Sequence, residues 1–459
     1  MEAEYFAAQE AFEKQKRKRE KRMNILGIDI GTTSICVVVY DAEHKKLLMS
    51  RSLPNAFLPG KGFLQDADEI VRKVRRLLEK MEDIPYSAIG ISSQMHGIVY
   101  ADAEGNAVTP LYTWKNEYAK KPFRNGESFA GYLARLSGYP VYAGYGSATH
   151  FYLQQTGGLP AEAEGFVDIG DYLAMRLTGN AERRVNESMA AGFGCFDRKV
   201  GRFDFDSLKK AGADVRFYPE ICSWKEPAGF YNGKPVFHAL GDNQASFLAA
   251  VRSPEDGVGI NVGTGSQVSV FSEKFFREAE EHGIDIRPFP GGGYLYVGAS
   301  LNGGKVYERL AAFFSETCRL FTGSTPDVYE KMRKIAGGKE ETDLKACPDL
   351  YGTRGGGEET GRSGFWGLTE SNFHPADLIR SYVRGMAEEL KSLYEKFPEK
   401  VREGKNSLTA SGNGLRKNPL LCEEIRKAFG MELTFSEFEE EAAAGAAIFA
   451  EKQAASPSA

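Results

Sequence analysis

Two stretches of the chain repeat one another. Gly27–Val39 reads GIDIGTTSICVVV and Gly259–Phe271 reads GINVGTGSQVSVF. They align without a gap, with Gly27 on Gly259, Gly31 on Gly263, Thr32 on Thr264 and Ser34 on Ser266. The copies lie about half a chain length apart in a protein of 459 residues. A single hydrophobic core stops growing at roughly 250–300 residues. One repeat at that distance therefore reads as two copies of one domain, not as a solenoid.

Each copy opens with apolar, β-branched residues interrupted by Gly and small hydroxyl residues, the pattern of strand, tight turn, strand. In the first copy these are Ile25 to Tyr40, followed by a third strand through Leu47 to Ser50. Asp66 to Met81 has helical periodicity, with Ile70, Val74, Leu77 and Leu78 on one face. Ala88 to Ser92 is a short buried strand that runs into a polar loop, Ser93 to Gly97. Strand and helix alternating in this way predict an α/β domain with a mixed sheet. The second copy continues with a strand at Tyr294–Ala299, a helix at Lys305–Phe314 and a glycine-rich loop at Gly352–Gly367. A helix at Asp377–Phe397, a strand at Ser407–Ala410, and helices at Asn418–Phe429 and Glu439–Ala450 follow. The expected organisation is a basic extension (1–22), a first domain (23–235), a second domain (236–452) and a tail (453–459).

Composition narrows the function classes. Apolar residues make up 42% and charged residues 26%, with a net charge of −5, so no broad basic face for nucleic acid is expected. The six cysteines form no C-x-x-C pair, which fits a cytoplasmic protein with reduced thiols better than a disulfide framework or zinc site. Ala442 to Ala450 is too short to span a bilayer. The basic run Glu13 to Arg22 reads as a solvated helical extension; Asp29 and Thr32 spoil the following apolar stretch as a signal-peptide core. Translation from Met23, directly before the first strand, is a further expectation.

The turns carry the chemistry. A tight turn can aim several backbone N–H groups into one concavity. With the hydroxyls of Thr32, Thr33, Ser34, Thr264 and Ser266 beside Gly31, Gly263 and Gly265, the pair can cradle a polyphosphate; the alternative is two ordinary hairpins. Asp29 in the first copy becomes Asn261 in the second. A carboxylate beside phosphates calls for a cation, and magnesium suits one or two carboxylates with phosphate oxygens; the alternative is a solvent-facing strand residue. Asp242 follows a strand at Phe237–Leu240 and precedes a helix. It reads equally as an N-cap and as a general base for a substrate hydroxyl. Gly412-Asn413-Gly414 is either a plain strand–helix turn or a place for a flat ring against the backbone. His96 is either a packed histidine or a ligand contact.

In order and spacing, these segments resemble the FGGY carbohydrate kinases, of the sugar kinase–actin–chaperone ATPase superfamily. The markers are GIDIGTTS (Gly27 to Ser34), SSQMHG (Ser92 to Gly97), DYLAMRLTG (Asp171 to Gly179) and SMAAGFGCFD (Ser188 to Asp197). GDNQAS (Gly241 to Ser246), NVGTGS (Asn261 to Ser266), GFWGL (Gly364 to Leu368) and SGNGLRKNPLL (Ser411 to Leu421) complete the series. The resemblance implies two duplicated ribonuclease H-like α/β domains of the actin/sugar kinase type, with the active site in the cleft between them. It implies Asp242 as catalytic base, with Asp29 and Asp242 by the magnesium. Gly31, Thr32, Thr33, Gly263, Thr264, Gly265, Ser266 and Gly303 would hold phosphates, and Gly412, Asn413 and Asn418 would border adenine. Gln94, Met95, His96, Trp114, Asn116 and Asn302 would meet the sugar. ATP, Mg2+ and a ketose, by preference sedoheptulose, are the implied ligands, with a pentulose as alternative. No nucleic acid or membrane is implied, and a homodimer stays open. Two departures stand out. Trp114-Lys115-Asn116-Glu117 lacks the Asp and Arg of the family's W-x-D-x-R string, and Asn186 stands where Asp is common. A non-catalytic sugar sensor and an actin- or chaperone-type ATPase switch are the alternatives from other classes.

Overall fold

The computed structural model describes residues 24–339, 341–352 and 363–455. The expected basic extension and the end of the tail lie outside the described residues, as does most of the glycine-rich loop after Gly352. The chain divides into two compact units. The first holds residues up to Ala249, Pro288–Gly291 and Phe438 onward; the second holds Ala250–Arg287 and Gly292–Glu437.

The first unit is built on strands β1 (Asn24–Ile30), β2 (Ser34–Asp41), β3 (Lys46–Pro54), β4 (Ala88–Ser93), β5 (Pro227–Tyr231), β6 (Lys234–Phe237) and β7 (Leu240–Gly241). Their order is β5-β6-β4-β1-β2-β3, with β7 also on β4. β1 runs antiparallel to β2 and parallel to β4. The period of two sorts the side chains of β1. Ile28 and Ile30 join Ile35, Val37 and Val39 in a core completed by Ile70 and Val74 of the helix Ala67–Glu79 and by Leu173 of the helix Ile169–Thr178. Asp66 caps the first of these helices through the N–H of Glu69, so the helix begins one residue later than the expected Asp66.

The opposite face carries Gly27 and Gly90 and receives the helix Glu441–Ala455. A β-carbon at Gly27 or Gly90 would fall inside the carbonyls of Ala443 and Ala446, and one at Gly445 would collide with Ala245 of the helix Asp242–Ala250. Glycine and alanine on both sides therefore set a backbone-to-backbone approach that no larger residue fits. This is why the last helix packs in the first unit, although sequence order groups it with the second half.

The second unit repeats the topology with β8 (Gly257–Val262), β9 (Ser266–Ser272), β10 (Asp285–Pro288), β11 (Tyr294–Ser300), β12 (Ser407–Ser411) and β13 (Glu432–Phe435), in the order β10-β11-β9-β8-β12-β13. β8 is antiparallel to β9 and parallel to β12, matching β1 with β2 and β4. The ungapped alignment holds through the first strand and then slips. Ile30 pairs with Ile35 across Gly31–Ser34, whereas Val262 pairs with Ser266 across Gly263–Gly265. The second turn is one residue shorter, so Ile35, and not Ser34, is the counterpart of Ser266. The slip preserves the inward set, placing Val37 and Val39 with Val268 and Val270.

Replacing Gly445 by Val should lower stability by at least about 2 kcal/mol through overpacking against Ala245. A denaturant midpoint shared with the wild type would disprove the close approach.

Candidate functional site

Asp29 lies near the end of β1, opposite Ser92 on β4. Its Oδ1 accepts a hydrogen bond from Ser92 Oγ at 3.0 Å. The carboxyl is pushed up to about 7, first by burial and then by the negative charge of Asp242; Ser92 acts the other way and Glu440 adds to the rise. Two carboxylates thus share one neighbourhood, with a third acid at its edge.

The turn after β1 is braced from behind. Asn55 donates Nδ2 to the Gly31 carbonyl at 2.9 Å, and its N–H bonds Thr33 O. Thr32 Oγ1 accepts from Trp114 Nε1 at 3.0 Å and donates to Gln94 Oε1 at 3.1 Å. Gln94 Nε2 donates to Gln65 Oε1, and Gln65 Nε2 donates to Thr32 O, closing a ring of polar contacts. Thr33 and Ser34 remain exposed at the tip. The Thr32 side chain is therefore committed to Trp114 and Gln94, while its neighbours present free surface.

The loop after β4 holds His96 in a left-handed backbone conformation, φ 75°, which is uncommon outside glycine. Its ring stacks on Tyr145 with centroids 4.4 Å apart and planes 4° from parallel. Nδ1 lies 2.7 Å from the Gly192 carbonyl. A carbonyl only accepts, so Nδ1 carries the hydrogen. Such over-determined strain is the kind stored at functional sites. Met95 is buried against Gly241 and Gly192.

Asp242 is the first residue of the helix Asp242–Ala250, and its Oδ1 accepts from Asn243 N at 2.9 Å. The preceding strand is broken. β6 ends at Phe237 and β7 begins at Leu240, where one continuous strand was expected.

The second unit repeats the arrangement with the charge removed. Asn261 sits opposite Ser411, and Asn261 Nδ2 donates to Ser411 Oγ at 2.8 Å. Gly263 and Thr264 are exposed. The helix Gly304–Thr322 starts against this turn, with Gly304 N donating to Gly263 O at 2.8 Å and Lys305 N to Thr264 O at 3.3 Å. A β-carbon at Gly303 would overlap Gly265. Ser266 Oγ donates to Asn302 O. Gly412 (φ 84°) and Gly414 lie against the backbone of Val262, and Asn413 is exposed beside them.

Three expected ligand residues are used internally. Asn302 Nδ2 donates to Asp349 and Glu389, and its Oδ1 accepts from Tyr351 N. Asn116 Oδ1 accepts from Tyr118 N and closes a local turn. Asn418 is the N-cap of the helix Pro419–Phe429. For Asn116 and Asn418 short-range backbone demand takes the amide, whereas Asn302 is held by partners distant in sequence. Ser92, Gln65, Asn55 and Tyr145 escaped sequence reading; only the parallel pairing of β1 and β4 brings Ser92 to Asp29. Among the described residues, the one group of three or more potential metal donors within mutual reach is Asp41, Glu43 and His44, a surface turn tied by its own hydrogen bonds. No described helix is long and apolar enough to cross a membrane.

Comparison with known proteins agrees with this architecture. The N-terminal domain pattern of the FGGY family of carbohydrate kinases matches residues 24–249, and its C-terminal domain pattern matches residues 258–454. The chain is similar to sedoheptulokinase of Mus musculus, with 26% identity over 92% of this chain and 96% of the relative. It is also similar to xylulose kinase of Streptomyces rubiginosus, with 25% identity over 63% of this chain and 62% of the relative. Among solved structures, gluconate kinase from Lactobacillus acidophilus superposes with a TM-score of 0.79 at 20% identity, covering 94% of this chain and 89% of that one. Xylulose kinase from the same organism gives 0.77 at 21% identity, with the same coverage.

Proposed function

Because the chain belongs to the FGGY family of carbohydrate kinases, we propose that it transfers the γ-phosphoryl group of ATP to the terminal hydroxyl of a ketose. Sedoheptulose is the preferred acceptor in this reading, ahead of xylulose or another pentulose. The observation that carries the reading is one strand–turn–strand device built twice, with an acid in one copy only: Asp29 on Ser92, and Asn261 on Ser411. The sugar preference rests on relatives named sedoheptulokinase that are similar over 92% of the chain.

Asp242 takes the proton of the acceptor hydroxyl as its oxygen attacks the γ-phosphorus and the bond to the β-phosphate oxygen breaks. His96, its ring held by Tyr145 and Gly192, meets a sugar hydroxyl. Exposed Thr33, Ser34, Gly263 and Thr264 offer backbone and hydroxyl donors to phosphates. Gly412 and Asn413 leave room for the adenine ring. Asp29 and Asp242 are hard oxygen donors held together at a cost in charge repulsion, a donor set that fits magnesium. When bound, the metal supplies charge neutralisation for the phosphates.

An ADP-release assay across sedoheptulose, xylulose, ribulose, glycerol and gluconate should give the highest kcat/KM for sedoheptulose. If none of these acceptors stimulates ATP turnover, the kinase reading is wrong. Asp242→Asn should lower kcat by about 10²–10⁴-fold while the KM for ATP moves less than about threefold. Near-normal turnover would reduce Asp242 to a helix cap.

A further inference from the structure

The segment that leads into Asp242 leaves the sheet at His238 and Ala239 and rejoins it at Leu240. β6 pairs with β4 at Val236–Ile89, and β7 pairs with β4 at Leu240–Ser92 and Gly241–Ser93. At Ala239, in the gap, and at Gly241, on β7, three backbone groups are taken by side chains. Ala239 N donates to Asp171 Oδ1 at 3.2 Å, Ala239 O accepts from Asn186 Nδ2 at 2.7 Å, and Gly241 N donates to Ser188 Oγ at 3.2 Å. All three side chains are essentially inaccessible to solvent. They come from the starts of two helices, Ile169–Thr178 and Glu187–Phe193. Helix starts are rigid points, because capping satisfies their free N–H groups: Asp168 caps the first and Asn186 the second.

Asp171 is anchored in turn. Its Oδ1 also accepts from His238 Nδ1 at 2.7 Å. Its Oδ2 and that of Asp168 are both buried without a hydrogen-bond partner, an arrangement that one proton shared between the two carboxyls satisfies. Burial raises both carboxyls and lowers His238 to about 4, in keeping with a neutral ring beside a proton-sharing pair. Gly241 is packed from the other side by Met95. The chain thus leaves the ladder at His238 and Ala239 and rejoins β4 at Leu240, with Asp171, Asn186 and Ser188 holding the backbone through the break.

We propose that Asp171 and Ser188 are positioning residues for Asp242, their side chains bonding the backbone N–H groups of Ala239, in the strand break, and of Gly241, directly before Asp242, and so aiming the carboxylate. The proposal rests on the reading of Asp242 as the base. Neither residue touches substrate in it; both act through the backbone that leads into Asp242. The break takes one extra residue, because Val236 to Leu240 is four steps along the chain against three from Ile89 to Ser92 on β4. The side-chain bonds hold this irregularity, and Asp242 follows two residues past the row that contains Asp29 and Ser92.

The test uses Asp171→Asn, Asp171→Ala, Ser188→Ala and, as control, Asp242→Asn, each as full-length protein. Asp171→Asn keeps an Oδ1 acceptor for Ala239 and a donor toward Asp168, so its kcat should stay within about threefold of wild type. Ser188→Ala and Asp171→Ala should lower kcat by about 10–100-fold, with the KM values for sugar and ATP within about twofold, because a misaimed base affects the chemical step and not binding. A Ser188→Ala protein with kcat within twofold of wild type overturns the proposal, as does a parallel loss in kcat and both KM values. If Asp171→Ala fails to fold, Ser188→Ala decides by the same criterion. A normal Asp242→Asn enzyme would instead remove the base reading itself, whatever Ser188→Ala does.

Discussion

One backbone row registers the working end of the first sheet. Asp29, Ser92 and Leu240 lie side by side on β1, β4 and β7. Parallel pairing fixes that row, so the neighbourhood of Asp29 and Asp242 follows from strand order and needs no direct contact between them. The cost is electrostatic. Burial and a neighbouring carboxylate both disfavour the ionised form of Asp29. A fold that maintains such a pair must over-determine it, and the Ser92 hydroxyl, the braced turn and the clamped Ala239–Gly241 segment together do so. The second sheet retains the row as Asn261 and Ser411 without the charge. Geometry was copied with the domain, and the acid–amide difference is where the copies diverge chemically.

The two faces of the first sheet solve different packing problems. On one, branched aliphatic residues interlock with amphipathic helices, and the layer is as thick as side chains make it. On the other, glycine and alanine bring a helix almost onto the strand backbones. Asp29 belongs to that thin face, two residues beyond Gly27, so its carboxylate sits at the edge of a closely packed layer and near Glu440 at the start of the covering helix. The thinness and the acidity of this corner have one origin.

The duplication and the α/β class were legible because hydrophobic period and turn residues are local signals. Asp29, Asp242 and the two turns could be named for the same reason. What escaped depends on which partner a side chain finds. Nothing in the string SSQMHG shows that Gln94 bonds Thr32, or that His96 is twisted into a left-handed conformation by Tyr145 and Gly192. Asn116, Asn302 and Asn418 have the polarity of ligand residues, yet other groups of the chain claim them first. The one-residue slip after the first turn escaped because Ser34 and Ser266 match in type, while the inward valines determine the true register. The break between β6 and β7 has no compositional mark at all; it shows only when Asp171, Asn186 and Ser188 are seen to take the backbone groups.

The helix Glu441–Ala455 completes a sheet whose first strand begins at Asn24. During synthesis the strands of the first unit therefore emerge long before the layer that covers Gly27 and Gly90, and the whole second unit is made in between. Until that helix is made, the thin face lacks its cover. The nascent chain therefore cannot finish its first-made half in order of manufacture, and closure of that half waits on synthesis of the helix Glu441–Ala455.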